Sequence, residues 1–401
     1  MKFTVSLCAA VAAFGALYAL QSAALPVITP APAPQTSGAL ETAAPVPNPP
    51  ELPAGSYLLV DFPSGQILAS RNADARMAPA SLTKLMSCYI VFHALSTGSL
   101  KLTDPVNISE HAWRAEGSRT FLKVGTQVPV EVLIEGMIVQ SGNDATIALA
   151  ERIGGTEPAF VQLMNEYARR LGMSNTHFDV STGLPSPTHY TTAHDLALLA
   201  SALLRDYPQY YHWFSMRSFV WNNIRQENRN GLLGNDPTVD GMKTGHTDAA
   251  GFCLVTSAKR GNMRLIGVVL DSPSIKARET ASAALLNYGF TFYETIDVER
   301  AGTTVLRPRV YKSSDQYYPV GPSRDVSIVI PRDEAGSIQT TALVDPRLVA
   351  PLSTTTPVGQ LQIVVGGHPV QSVPLYPIRN IPQGGLWSRL TDDMRLWWHR
   401  R

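Results

Sequence analysis

Gly251-Phe252-Cys253-Leu254-Val255-Thr256 and Met263-Arg264-Leu265-Ile266-Gly267-Val268-Val269-Leu270, separated by Lys259-Arg260-Gly261-Asn262, read as two strands of an antiparallel hairpin. Both runs are rich in β-branched and apolar residues, and the segment between them has the polar, glycine-bearing chemistry of a turn. A second hairpin stands far upstream: Tyr57-Leu58-Leu59-Val60-Asp61, then Pro63-Ser64-Gly65, then Gln66-Ile67-Leu68-Ala69. Between the two hairpins the apolar spacing becomes helical, which predicts helices over Ser81 to Leu95, Val130 to Gln140 and Pro158 to Leu171. A fourth starts at Thr192 or Ala193, with Asp195 in its first turn where a carboxylate favours the helix dipole. A closing helix runs from about Lys276 to Tyr288. Strands at both ends with helices between predict an α/β (α+β) domain, in which helices cover one antiparallel sheet built from distant parts of the chain.

At 401 residues the chain is too long for one small core, so two domains with appendages are expected. Its 33 Lys and Arg balance 32 Asp and Glu, and no basic stripe points to nucleic acid. Lys2, the apolar or small run Phe3 to Leu20, and Ser22-Ala23-Ala24 read as a signal peptide over 1–24, with an uncleaved anchor as the alternative. The protein is therefore expected to be exported. Cys8 follows the bulky Leu7 within the apolar run and makes no lipid-attachment site. The remaining Cys88 and Cys253 form either one disulfide or two buried thiols.

Nine prolines between Leu25 and Pro53 predict a Pro-rich, extended linker over 25–53. The first folded domain is expected over 54–297. Beyond it, Ile328-Val329-Ile330, Thr341-Ala342-Leu343-Val344 and Leu361-Gln362-Ile363-Val364-Val365, with a turn at Gly366-Gly367, predict a small all-β domain over 298–380. In 384–401, Leu386, Leu390, Met394, Trp397 and Trp398 fall on one helical stripe, flanked by Arg389, Arg395, Arg400 and Arg401. Such an amphipathic helix suits a lipid interface; packing against the β-domain is the alternative.

Three short strings carry the chemistry: Ser81-Leu82-Thr83-Lys84, Ser141-Gly142-Asn143 and Lys243-Thr244-Gly245. A serine hydroxyl is a poor nucleophile unless a neighbour takes its proton. Three residues apart on a helix, Ser81 and Lys84 share one face with Cβ atoms about 5–6 Å apart. Lysine serves as base only when neutral, and bringing its reference pKa of about 10.4 near 7 requires roughly 4–5 kcal/mol of destabilisation of the ammonium. Burial and a second cation supply this, and Lys243 is the candidate cation.

Ser81 starts a helix, so its backbone N–H is one half of a candidate oxyanion hole; the other is expected at His246 or Thr247. Ser141 can relay a proton between the reacting centre and Lys84 or Lys243. Asn143 can orient Lys84 or bind a substrate peptide. Lys243 and Thr244 lie on a strand edge, where an extended peptide can add and present a carboxylate to cations. The nine histidines show no zinc-ligand spacing, so neither a metal nor any other cofactor is expected. The His246 ring is credited less than its backbone.

The context of these strings resembles one family. Pro79-Ala80-Ser81-Leu82-Thr83-Lys84-Leu85-Met86, Gln140-Ser141-Gly142-Asn143-Asp144-Ala145 and Asp240-Gly241-Met242-Lys243-Thr244-Gly245-His246-Thr247-Asp248-Ala249-Ala250-Gly251 resemble the low-molecular-mass penicillin-binding proteins of the D-alanyl-D-alanine carboxypeptidase type. The likeness is strong over Gly55 to Asp297, weaker through the β-domain, and includes the terminal helix.

It implies a penicillin-binding/β-lactamase-like transpeptidase fold. It also implies Ser81 as acylated nucleophile, Lys84 as proton acceptor, Ser141 as relay, and Lys243, Arg229 and Arg278 at the carboxylate end of the substrate. The implied partners are peptidoglycan stem peptides, β-lactam antibiotics and the cytoplasmic membrane surface. The implied place is the periplasm, on the outer face of the inner membrane. The implied reaction removes the terminal D-alanine from pentapeptide stems through an acyl-serine. A D,D-endopeptidase, a β-lactamase and a catalytically silent wall-binding or drug-sensing module are the alternatives. Against the β-lactamase, Glu157-Pro158-Ala159-Phe160 does not reproduce the Glu-x-x-Leu-Asn loop of class A enzymes.

Overall fold

The computed structural model describes residues 46–398. The signal peptide read over 1–24, residues 25–45 of the Pro-rich stretch, and Arg400 and Arg401 lie outside the described residues. In chain order, the elements that build the first domain are β1 (Ser56–Asp61), β2 (Ile67–Arg71), α1 (Lys84–Ser96), α2 (Val130–Ile138), α3 (Asn143–Gly154), α4 (Glu157–Arg170), α5 (Ala193–Asp206), β3 (Val239–Thr247), β4 (Gly251–Arg260), β5 (Met263–Ser272) and α6 (Ile275–Phe292). The sheet order is β2-β1-β5-β4-β3, antiparallel throughout. The two hairpins meet at β1 and β5, where Leu58 faces Val268.

Period-2 alternation explains why helices cover both faces. Leu58, Cys253, Val255, Ile266 and Val268 join one apolar cluster with α1 to α5, whereas Leu59, Leu254, Leu265 and Val269 join another with Leu285 and Leu286 of α6. Helix α1 runs through the first cluster with 11 of its 13 residues buried, as expected of a helix apolar on nearly all sides. Thr192 caps α5 by accepting the backbone N–H of Asp195.

Three details differ from the sequence reading. Ser81 stands not in α1 but in a 3₁₀ turn, Ala80–Thr83, that leads into it. Asn143, which lies outside every predicted helix, opens α3. The end of the Pro-rich stretch packs on the domain: Leu52 is buried, and the Pro47 carbonyl accepts the Tyr288 hydroxyl at 2.9 Å. Of the two readings of the cysteines, the structure has the second: Cys88 and Cys253 are both buried free thiols.

Strand Tyr293–Glu299 already belongs to the second domain, since it pairs with Val326–Pro331. There a four-stranded antiparallel sheet includes Gly359–Val365 and His368–Pro377, joined at Gly366-Gly367, whose positive φ values of 56° and 85° are those of a tight hairpin turn. Ile328, Leu361, Ile363 and Leu375 form its core. The C-terminal helix spans Leu386–Trp398.

Candidate active site

The 3₁₀ turn sets the first pair. Residues three apart eclipse in such a turn, and Lys84 Nζ lies 3.0 Å from Ser81 Oγ. The same nitrogen donates to Asn143 Oδ1 at 2.6 Å and to the Thr182 carbonyl at 2.7 Å. Asn143 is held in that orientation because its Nδ2 donates to the Glu116 carbonyl at 2.6 Å, and a carbonyl can only accept. Two of the amine's hydrogens are thus taken by obligate acceptors. The third direction faces Ser81, and electrostatics decide whether a proton or a lone pair occupies it.

Electrostatics favour the lone pair. Lys84 is completely buried, and that burial, followed by the charge of Lys243, holds its pKa well below the usual lysine value. Asp144, the nearest acid in sequence to Asn143, accepts the backbone N–H groups of Thr120, Leu122 and Ala145 instead of pairing with a lysine. Lys243 is itself brought down to about 7, by burial first and then by the positive charges of Arg229 and Arg278.

A cleft of about 710 Å³ opens beside this pair. Ser81 and Ser141 line it together with Thr244, Gly245 and His246 of β3. Strand β3 is the sheet edge, so its outer side is free of a neighbouring strand. Gly245 permits its approach to the turn: a Cβ there would stand 3.1 Å from the Pro79 carbonyl oxygen. Arg229 and Arg278 also line the cleft. Arg278 is buried; it donates to the Arg229 carbonyl at 3.3 Å, while its Nε has no hydrogen-bond partner among the described residues. None of the described lining residues is acidic, so the cleft suits an anion-ended ligand.

All ten residues singled out in the sequence therefore gather at one place. Ser141 does so without bridging the lysines: its buried Oγ has no hydrogen-bond partner among the described residues, and its backbone holds a positive φ of 63°. Among the described residues, Lys243 Nζ donates to the Thr244 carbonyl alone, at 3.0 Å. The His246 ring stacks on Phe252 with centroids 4.0 Å apart.

Sequence reasoning did not find Phe252 and Ile275, which form an apolar wall of the cleft, nor the carbonyls of Thr182 and Glu116. Phe252 could have been placed through its register opposite His246; backbone carbonyls leave no side-chain signature.

A model of the D-alanyl-D-alanine carboxypeptidase family matches residues 43–274. The chain belongs to that family. The D-alanyl-D-alanine carboxypeptidase match is followed by one to the C-terminal domain of penicillin-binding protein 5 over residues 293–383. Among relatives, the D-alanyl-D-alanine carboxypeptidase DacA of Escherichia coli (strain K12) is 40% identical over 362 residues, 88% of this chain and 90% of that one. The crystal structure of penicillin-binding protein 5 from Haemophilus influenzae superimposes with a TM-score of 0.80 at 40% identity, covering 84% of this chain and 100% of that one. The ampicillin-bound form of penicillin-binding protein D2 from Listeria monocytogenes gives a TM-score of 0.56 at 31% identity, over 60% of this chain and 100% of that one.

Proposed function

We propose that the protein is a serine-type D-alanyl-D-alanine carboxypeptidase that removes the terminal D-alanine from peptidoglycan pentapeptide stems and is acylated by β-lactams. The observation that carries this reading is the 3.0 Å contact between Ser81 Oγ and an amine whose other hydrogens are committed to Asn143 and Thr182. The substrate lies along the open edge of β3, with its terminal carboxylate toward Lys243, Arg229 and Arg278. An arriving carboxylate favours the charged form of Lys243.

Ser81 Oγ attacks the carbonyl carbon of the penultimate D-alanine as its proton passes to Lys84 Nζ. The oxyanion is received by the Ser81 backbone N–H and by a backbone N–H at His246 or Thr247. The C–N bond then breaks, and the proton moves from Lys84, through the Ser141 hydroxyl, to the leaving amine. Water next attacks the acyl-serine, giving up a proton to Lys84; the ester bond breaks, the shortened peptide leaves as a carboxylate, and Ser81 regains its proton.

No carboxylate lines the cleft to activate water on a bound penicillin, and Glu157 is occupied elsewhere, accepting the Ser181 backbone N–H at 3.0 Å and its hydroxyl at 2.6 Å. Both features favour a long-lived penicilloyl adduct over β-lactamase turnover.

We further infer an exported protein attached peripherally to the outer face of the cytoplasmic membrane through the C-terminal helix. No described helix is long and apolar enough to cross a membrane. In the terminal helix Leu386, Trp387, Leu390 and Met394 are exposed, while Asp392 on the opposite side accepts the Lys312 backbone N–H at 2.7 Å and the Arg309 guanidinium at 3.2 Å. The polar side thus faces the β-domain and the apolar side is left for lipid.

Intact-protein mass spectrometry after benzylpenicillin, together with D-alanine release from a pentapeptide, tests the reading. One penicilloyl adduct and released D-alanine are expected from the wild type, and neither from Ser81→Ala. Adduct without release supports a sensing module instead.

A further inference from the structure

A histidine outside the cleft lining closes a chain of hydrogen bonds to the turn that bears the nucleophile. His189 returns the loop that links α4 to α5, and its ring is buried against Phe178 with centroids 5.8 Å apart. Its Nδ1 accepts the backbone N–H of Asp179 at 2.9 Å. Because that partner can only donate, the ring proton resides on Nε2. Nε2 is 2.8 Å from Thr83 Oγ1 and donates to it; Thr83 in turn donates to the Ala80 carbonyl at 2.8 Å.

Ala80 precedes the nucleophile and holds a φ of 48°, a left-handed conformation that costs a non-glycine residue about 1–2 kcal/mol and persists only where its surroundings enforce it. The same loop carries Thr182, whose carbonyl accepts the Lys84 amine, and Ser181, whose carbonyl accepts Ser87 Oγ at 2.8 Å.

We propose that His189 is a positioning residue for the nucleophile, acting through the Thr83 hydroxyl on the Ala80 carbonyl to fix the turn that aims Ser81 at Lys84. The inference rests on the functional reading above, in which Ser81 is the acylated group. The charged or titratable neighbours of the ring are Asp179, whose carboxylate is occupied by the Ser186 and Thr188 hydroxyls, and His177. Burial of the ring, which outweighs the attraction of Asp179, brings His189 down to about 4, so the Nε2–H donor persists across the neutral range. The clamp pins the loop and the turn to each other, and both contribute groups to Lys84. Losing it therefore moves the two reacting atoms relative to one another while leaving the cleft wall of β3 in place.

The test is the acylation of Ser81 by a fluorescent penicillin, resolved into the affinity of the first complex and the rate of the covalent step. It compares wild type, His189→Ala, Thr83→Val, the double variant and His189→Gln, with a thermal melt for each. A misplacement of about 1 Å costs on the order of 10²-fold in rate. We therefore expect His189→Ala and Thr83→Val each to slow the covalent step by about tenfold or more with little change in affinity.

The double variant should be no slower than the slower single one, because both remove the same clamp. His189→Gln retains an N–H donor toward Thr83 and should recover most of the rate. A wild-type covalent rate in His189→Ala overturns the inference, as do multiplicative effects in the double variant or a loss confined to affinity. Should His189→Ala not fold, a wild-type rate in Thr83→Val overturns it alone. Absence of any acylation in the wild type overturns the functional reading with it.

Discussion

Gly183 packs against Ala80 so closely that a Cβ at position 183 would lie 1.8 Å from the Ala80 carbonyl oxygen. Gly183 also holds a φ of +90°, which side chains rarely adopt. The loop between α4 and α5 is thereby seated on the turn that bears the nucleophile. Gly183→Ala must displace backbone, not merely a flexible side chain, and should cost at least about 2 kcal/mol in chemical denaturation. It should also slow penicillin acylation. A variant of wild-type stability and rate would show that the loop is not seated on the turn.

The pH profile of kcat/KM follows from the two lysines. Lys84 acts as base only without its proton, and burial with the neighbouring Lys243 holds its pKa well below the usual value. Activity should therefore rise with pH through a limb far below 10. In the proposed reading Lys243 binds the substrate carboxylate in its protonated form, and burial with the charges of Arg229 and Arg278 brings its pKa in the free enzyme down to about 7. The profile should fall above this, giving a bell. Lys243→Arg keeps the charge and should extend the descending limb upward. A profile that climbs steadily to pH 10 would contradict both assignments.

Ser141 offers a separation of activity from stability. Its hydroxyl is buried without a partner among the described residues, so Ser141→Ala removes no hydrogen bond made within them. The melting temperature should stay the same or rise slightly, while the rate of acylation falls by about 10²-fold, the scale of one lost proton-transfer group. A loss of stability with activity intact would reverse the assignment.

The cysteines should be inert. Burial pushes the Cys88 thiol up to about 12 and the Cys253 thiol up to about 11. A disulfide-exchange reagent should label neither in the native enzyme and both in guanidinium. Labelling of Cys88 without unfolding would mean that α1 is open to solvent.

The terminal helix should be dispensable for chemistry. Removal of residues 385–401 should leave D-alanine release unchanged and abolish sedimentation with phospholipid vesicles. Unchanged sedimentation would refute the lipid contact.

Much of this was legible from the chain because the relevant signals are carried by side chains at regular spacing. The alternation in Leu254, Val255, Ile266 and Val268 marks a sheet buried on both faces, and Ser81 with Lys84 marks a shared face. The turn at Gly366-Gly367 was legible for the same reason, since both residues need positive φ. What was not legible has a common physical cause. The acceptors that fix Lys84 include carbonyls of Thr182 and, through Asn143, Glu116, and every residue type carries the same carbonyl. The 3₁₀ geometry at Ala80–Thr83 and the left-handed φ of Ala80 are imposed by His189 and Gly183, more than 100 residues away along the chain. Local propensity at Ala80 favours an ordinary helix start, and tertiary contacts override it.

The charge on Lys84 is the centre of the account, and it can be read directly. With lysine labelled with 13C at Cε, and Lys84→Arg to assign the resonance, the shift of Lys84 can be followed by NMR from pH 5 to 11. Lys84 is expected to lose its proton well below the pH at which the surface lysines titrate. A Lys84 resonance that titrates near 10.4, like a free lysine, would contradict it.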